Sequence, residues 1–406
     1  MPRQRLEVAD IFRAKGNDWR TAHQGHISLA QLKVMSAIES CRSAALGGHV
    51  LQCTDCGYQQ IAYNSCRNRH CPKCQGSAAH RWLEARQVDL LPVEYYHLVF
   101  TLPAPISYLA YRNKSVIYTI LFKIAAKTLQ TIAADPKHLG ARIGFTLVLH
   151  TWGSNLSHHP HVHGIVPGGG LSMDGKHWVS CKPGFFLSVR VLSRLFRRLF
   201  LEKLQQAYQA GKLEFGGNQQ KLMDKACFFD WLKALKKIDW VVYAKRPFAG
   251  PESVLAYLSR YTHRVAISNS RLLRFDGQGV TFRWKDYRNE KHLRYKNMTL
   301  SADEFIRRFL IHVLPGGFQR LRHYGLLANA RRKENLKQAR ELLIQKEEAI
   351  KEKGASKETT STTTDEPVEI VQATYICPHC SSPMKVIDIF TGNQQPRAPP
   401  LRLKAS

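Results

Sequence analysis

The sequence predicts an α+β chain in which a small metal-binding segment precedes a larger domain of mixed strands and helices. Three observations predict it. Strand-like runs at 91–104, 143–149 and 161–166 alternate with stretches whose apolar residues recur at three and four. Six of the ten cysteines fall between positions 41 and 74. Hydrophobic residues at 44 % and aromatics at 10 % exclude wholesale disorder.

Residues 1–40 carry helical spacing, as in Ile27, Leu29, Leu32, Val34 and Met35. Residues 41–80 are rich in Cys and His and short of long apolar runs. LPVEYYHLVFTLPA at 91–104 reads as a strand between prolines, and 116–133 as a helix. IGFTLVL at 143–149 and HVHGIV at 161–166 read as strands around a loop of small and polar residues. Residues 187–209 suit a basic amphipathic helix, and PESVLAYLSRYTHRV at 251–265 opens with a helix-start signal. Residues 271–298 alternate like a hairpin turning at Asp276-Gly277-Gln278-Gly279. A charged helix is expected over 331–353, and the Ser/Thr/Glu-rich stretch at 354–368 reads as a disordered linker.

Charge narrows the partner. The chain of 406 residues has 60 Lys and Arg against 31 Asp and Glu, a formal charge of +29. Residues 181–340 alone hold 33 basic and 12 acidic side chains. Such an excess points to a polyanion, with nucleic acid before an anionic membrane. No run approaches about 18 uninterrupted apolar residues, so a membrane span is not expected. The opening MPRQRLEVADIF lacks the apolar core of a signal peptide. The expectation is a cytoplasmic protein.

A cytosolic chain should not need disulfides, so clustered cysteines point to metal. Cys53-x-x-Cys56 and Cys71-x-x-Cys74 are two knuckles separated by 14 residues. Together they are expected to close a Cys₄ zinc site. Cys41, His49, Cys66 and His70 are candidates for a second zinc site, or are core residues. Arg67, Arg69 and Lys73 interleave with the knuckles and suit a surface pressed on phosphates. Cys377-x-x-Cys380 is half a site, to be completed by His379 and another group, by a second chain, or not at all.

Two further pairs matter. In His158-His159-Pro160-His161-Val162-His163, residues 161 and 163 share one face of a strand and can offer two imidazoles to one ion. Tyr257 and Tyr261 lie one helical turn apart, with Arg260 and Arg264 beside them. Each pair alone is also what a polar surface strand or a packed helix would show. Together they suggest phosphoryl transfer. A phenol with a pKa near 10 is a poor nucleophile unless its target is polarised, as a metal on the His pair would do.

At this point the sequence resembles a known family, the rolling-circle insertion-sequence transposases of the HUH class typified by insertion sequence ninety-one. The resemblance rests on CRSAALGGHVLQCTDCG with YNSCRNRHCPKCQ at 41–75, YYHLVFTLP at 95–103, HHPHVHGIVPGGG at 158–170 and YLSRYTHRVAISN at 257–269. It implies an N-terminal zinc-binding domain followed by an HUH nuclease domain, an antiparallel sheet flanked by helices. It implies Mg²⁺ or Mn²⁺ held by His161 and His163, nucleophiles at Tyr257 and Tyr261, and a third metal ligand from elsewhere. His97, Asn155 and His158 are the candidates for that ligand, and His263 also lies near the tyrosines.

The expected organisation is therefore residues 1–90 as helical and zinc-binding recognition domain, 91–330 as HUH domain, 331–353 as charged helix, and 354–406 as flexible linker and tail with the last knuckle. The expected activity is nicking and rejoining of single-stranded DNA at transposon ends through a 5′-phosphotyrosine. Target DNA is a second substrate, and the protein would be nucleoid-associated, with self-association left open. The basic, aromatic stretch holding Arg283, Trp284, Lys285, Tyr287 and Arg288 is expected to grip the single strand. The competing readings are a replication initiator or relaxase with the same chemistry, and a noncatalytic zinc-dependent regulator.

Overall fold

The computed structural model describes residues 6–75, 89–245, 265–286, 295–353 and 375–394. The expected helix at 251–265, with Tyr257, Arg260, Tyr261, His263 and Arg264, lies outside the described residues except for Val265. Tyr287 and Arg288 lie outside them too.

Two helices open the chain, α1 (Val8–Ala22) and α2 (Leu29–Glu39). Each starts at a reciprocal cap, which satisfies backbone donors that no preceding turn can reach. The Glu7 amide donates to Asp10 at 2.9 Å, and in α2 the Ser28 amide donates to Gln31 at 2.9 Å. A hairpin follows, β1 (Gly48–Cys53) and β2 (Gln59–Tyr63), and then β3 (Tyr95–Thr101). Next come α3 (Ala104–Arg112), α4 (Lys114–Ala134), β4 (Ala141–Arg142), β5 (Gly144–Trp152), β6 (His158–Pro167), β7 (Gly169–Ser172) and β8 (Trp178–Ser180). The chain continues through α5 (Val189–Gln209), α6 (Lys225–Lys237), β9 (Val242–Lys245), β10 (Leu272–Phe275), β11 (Gly279–Lys285) and β12 (Tyr295–Ser301). Among the described residues the last elements are α7 (Ala302–Leu310), β13 (Leu321–Gly325), α8 (Arg332–Lys353), β14 (Tyr375–Ile376) and β15 (Pro383–Phe390).

The central sheet has the order β13-β5-β6-β3-β9, antiparallel throughout. Its faces differ because strand side chains alternate. Leu98, Phe100, Leu147, Leu149 and Val162 share one core cluster with Leu121 and Phe122 of α4 and Phe196 and Phe200 of α5. The opposite face carries His161 and His163. Helix α4 has the length and composition to cross a membrane, but 67 % of its apolar window is buried inside the fold. It is apolar nearly all round because it is a core helix. The glycines after β6 permit close strand approach: a Cβ on Gly170 would run into the Arg142 carbonyl, so β7 could not lie on β4.

A second core lies elsewhere. Phe12 of α1, Met35 of α2, Cys41, Cys71 and Cys74 cluster with Phe282 of β11 and Phe305 and Phe309 of α7. Phe12 and Phe309 meet edge to face at 5.3 Å. A cut at residue 90 therefore separates residues that share this core. The expected hairpin at 271–298 is two strands of a three-stranded sheet, β10-β11-β12. Its turn falls at 276–279, where the Asp276 carboxylate accepts from the Gly279 amide at 2.7 Å.

The end of the chain departs most from expectation. Residues 375–394 are not a loose tail. Strand β15 pairs antiparallel with β1, from Gly48 opposite Phe390 to Cys53 opposite Met384. A four-stranded sheet, β14-β15-β1-β2, thus joins the two ends of the sequence. Helix α8 packs Leu336, Ala339 and Leu343 against Leu91, Leu171 and Trp178.

Candidate active site and metal centres

The outward face of the central sheet gathers three histidines. His161 and His163 stand two apart on β6, and His150 of β5 is paired directly with His161. Their candidate ligand nitrogens all lie within 4.8 Å of one another. Ring centroids are 4.5 Å apart for His150 and His163, and 4.8 Å for His161 and His163. The strand register makes this possible: Val148 pairs with His163 and His150 with His161, so His150 shares their face, opposite to core-facing Leu147 and Leu149. The register shifts only beyond His150, between it and Trp152.

Hydrogen bonds fix how these rings present themselves. His161 Nδ1 lies 2.7 Å from the His159 carbonyl, which can only accept, so Nδ1 carries the proton and Nε2 the lone pair. His163 Nδ1 meets His97 Nε2 at 2.8 Å, and the two rings stack nearly parallel. Burial, with a smaller contribution from Lys245, pushes His97 down to about 4, so it stays neutral. His150 is 2 % exposed and His163 8 %, which keeps bulk water from competing for these nitrogens. Three converging imidazoles suit a divalent transition ion with open positions.

Of the residues considered for the third position, the structure brings in none. His97 backs His163 from β3. Asn155 caps the adjacent loop, accepting from the Ser157 hydroxyl at 2.7 Å. His158 points to the other face, where Tyr118 donates to its Nε2 at 2.8 Å and its Nδ1 donates to the Ser107 carbonyl at 3.0 Å. Burial holds His158 at about 4. His150 was missed because only the strand register reveals it.

The cysteines group differently from the expected set. Cys53 and Cys56 do not meet Cys71 and Cys74. Instead Cys41, Cys66, Cys71 and Cys74 converge, with Cys74 Sγ 3.5 Å from both Cys41 Sγ and Cys66 Sγ. Cys53 and Cys56 converge with Cys377 and Cys380. The reason is topological: Cys41 and Cys71 are buried in the second core with α1 and α2, whereas β1 carries Cys53 away into the sheet it shares with β15. The sulfur spacings suit zinc, since four ligands about 2.3 Å from one ion lie about 3.8 Å apart. Hydrogen bonding to Cys66 and burial push the Cys71 thiol up, so thiolates crowded this closely need a cation among them. His49 and His70 join neither group. His49 Nε2 lies 3.2 Å from the Tyr375 hydroxyl, and buried His70 accepts from the Leu314 amide at 3.5 Å.

The proposed phosphate contacts also divide. Arg67 is exposed. Arg69 donates to the Phe318 and Pro315 carbonyls, and Lys73 pairs with Glu7 at 2.6 Å, so both tie the knuckle to the rest of the chain. Arg283 is exposed on β11, Trp284 packs against the second core, and Lys285 sits 5.9 Å over the Tyr295 ring.

Residues 11–102 match a family model described as a transposase zinc-binding domain, and residues 144–335 match one described as "Putative transposase". The chain is 55 % identical over 394 residues to "Putative transposase y4qJ" of Sinorhizobium fredii, covering 97 % of each. It is 26 % identical over 312 residues to the transposase for insertion sequence element IS801 of Pseudomonas savastanoi pv. phaseolicola, covering 75 % of this chain and 72 % of that one. Among solved structures, the conjugative relaxase TrwC in complex with oriT DNA aligns at a TM-score of 0.24 and 14 % identity, over 41 % of this chain and 71 % of that one.

Proposed function

Because the chain belongs to the IS91-type family of insertion-sequence transposases and has their N-terminal zinc-binding domain, we propose that it cuts and rejoins single-stranded DNA at the ends of its element through a covalent 5′-phosphotyrosine. The observation that carries this reading is the convergence of His150, His161 and His163 on one sheet face. The nucleophiles are Tyr257 and Tyr261, named from their spacing in the sequence. The phenol oxygen of one tyrosine displaces the 3′ oxygen at the scissile phosphorus. A P–O bond forms to tyrosine, the P–O3′ bond breaks, and a 3′-hydroxyl is released. The second tyrosine permits a second cleavage while the first strand is still held.

His150, His161 and His163 would hold the divalent ion, which when bound supplies Lewis-acid polarisation of the scissile phosphate. The donor set is all nitrogen, and Mg²⁺ prefers oxygen, so Mn²⁺ is the better match of the two. His97 and the His159 carbonyl act as positioning groups, holding the His163 and His161 rings in the tautomer and direction that ligation needs. Cys41, Cys66, Cys71 and Cys74 would hold a structural zinc that keeps the second core together.

The test is incubation of the full chain with single-stranded end DNA and Mn²⁺, followed by denaturing electrophoresis. A covalent adduct is expected with the wild type and none with Tyr257→Phe combined with Tyr261→Phe. An unchanged adduct in that double variant would sink the reading. Replacement of His161 by Ala should abolish the adduct while DNA binding persists.

A further inference from the structure

We infer that Cys53, Cys56, Cys377 and Cys380 form a second tetrahedral zinc site, one that closes a zinc ribbon split between the two ends of the chain. The sulfurs are already in place. Cys53 Sγ is 3.4 Å from Cys380 Sγ, and Cys56 Sγ is 3.6 Å from Cys377 Sγ and 3.5 Å from Cys380 Sγ. These spacings approach the roughly 3.8 Å between tetrahedral thiolates on zinc.

The two knuckles share one backbone design, although more than 300 residues separate them. The Cys53 amide donates to the Tyr58 carbonyl at 2.8 Å, and the Cys377 amide donates to the Ser382 carbonyl at 2.8 Å. In both, the fourth residue after the first cysteine adopts a left-handed conformation: Gly57 at φ 70° and Ser381 at φ 62°. Ser accepts that strain poorly, so the turn at Ser381 must be imposed by its surroundings. The knuckles are also latched to each other. The Thr54 amide donates to the Pro383 carbonyl at 3.1 Å, and the Ser382 hydroxyl donates to Asp55 at 2.5 Å.

The sheet around them has little else to hold it. Its buried cluster consists of Leu51, Cys53, Cys377 and Met384, with Tyr58 and Ala62 packed alongside. A metal supplies the cohesion that so small a core lacks. Cys377 and Cys380 lie beyond the two family-matched segments, which end at 102 and 335. The C-terminal strand is thereby a built part of the N-terminal zinc-binding module.

Native mass spectrometry of the full chain, purified without chelator, tests this. Two zinc ions per chain are expected in the wild type, one in Cys377→Ser combined with Cys380→Ser, and two again in Cys380→His. A double Ser variant that keeps the full wild-type zinc content overturns the proposal. Alkylation of the wild type guards against misfolding of variants. Cys56, Cys380 and Cys227 are all exposed. Cys56 and Cys380 should resist iodoacetamide while Cys227 reacts, and all three should react after chelation. Labelling of Cys56 and Cys380 as fast as Cys227 in untreated protein would equally overturn it.

Discussion

The histidine centre and the cysteine centres are assembled by opposite routes. The three histidines come from two neighbouring strands of one antiparallel pair, within residues 150–163. The cysteine groups draw on residues 33 apart in one case and 327 apart in the other. The first is a local product of register on a rigid central sheet. The second depends on how distant segments dock. In both, a short motif supplies two ligands and topology supplies the rest.

Loss of the metal is most damaging at the buried cysteine group. Cys74 is 7 % exposed and shares the second core with Phe12 and Phe309. Because structural zinc contributes roughly 10 kcal/mol or more to folding in small domains, Cys74→Ser should abolish the cooperative unfolding of α1, α2 and the β10-β11-β12 sheet, read by hydrogen exchange. Persistence of native protection there would argue that apolar packing alone holds this core.

Packing without the metal can be tested at the same interface. Phe309 is 2 % exposed. Phe309→Ala should cost about 3–5 kcal/mol in urea unfolding through the cavity it leaves. It should also destabilise α1 if the two share one cooperative unit. A loss confined to α7 would show that they do not.

His158 titrates at about 4 in the fold against an ordinary 6.5, because burial disfavours its charged form. As pH falls, the unfolded chain binds this proton first. The stability gained by keeping the ring neutral is therefore intact above 6.5 and lost as pH drops toward 4. At pH 5 the loss is about 2 kcal/mol from this residue. Urea titrations at pH 7 and pH 5 should show it, and His158→Asn should shrink the difference. An equal difference in the variant would assign the acid sensitivity elsewhere.

The smallest effect separates the two classes of basic residue. Arg283 is exposed, whereas Lys73 is paired with Glu7. Arg283→Ala should weaken single-strand binding and lower the slope of log affinity against log salt by about 1. Lys73→Ala should leave that slope unchanged. The opposite pattern would place the DNA on the knuckle.

These contrasts also explain what the sequence disclosed. His161 and His163 were visible because a strand period of two is written into the chain. Each Cys-x-x-Cys was visible because a knuckle is a local turn. His150 was hidden because its partnership depends on the register between β5 and β6, which no spacing within either strand encodes. The assignment of Cys53 to Cys380 rather than Cys71 was hidden because β1 pairs with a strand from the far end of the chain. Helices α1, α2, α4 and α5 followed from apolar periodicity. The shared core of α1 and α7 did not, since periodicity names a buried face without naming what buries it.

The most direct measurement is covalent adduct formation by His150→Ala on single-stranded end DNA with Mn²⁺, with binding measured in parallel. Adduct should fall by about 100-fold or more while binding is retained. Wild-type adduct levels in this variant would contradict a three-histidine metal centre.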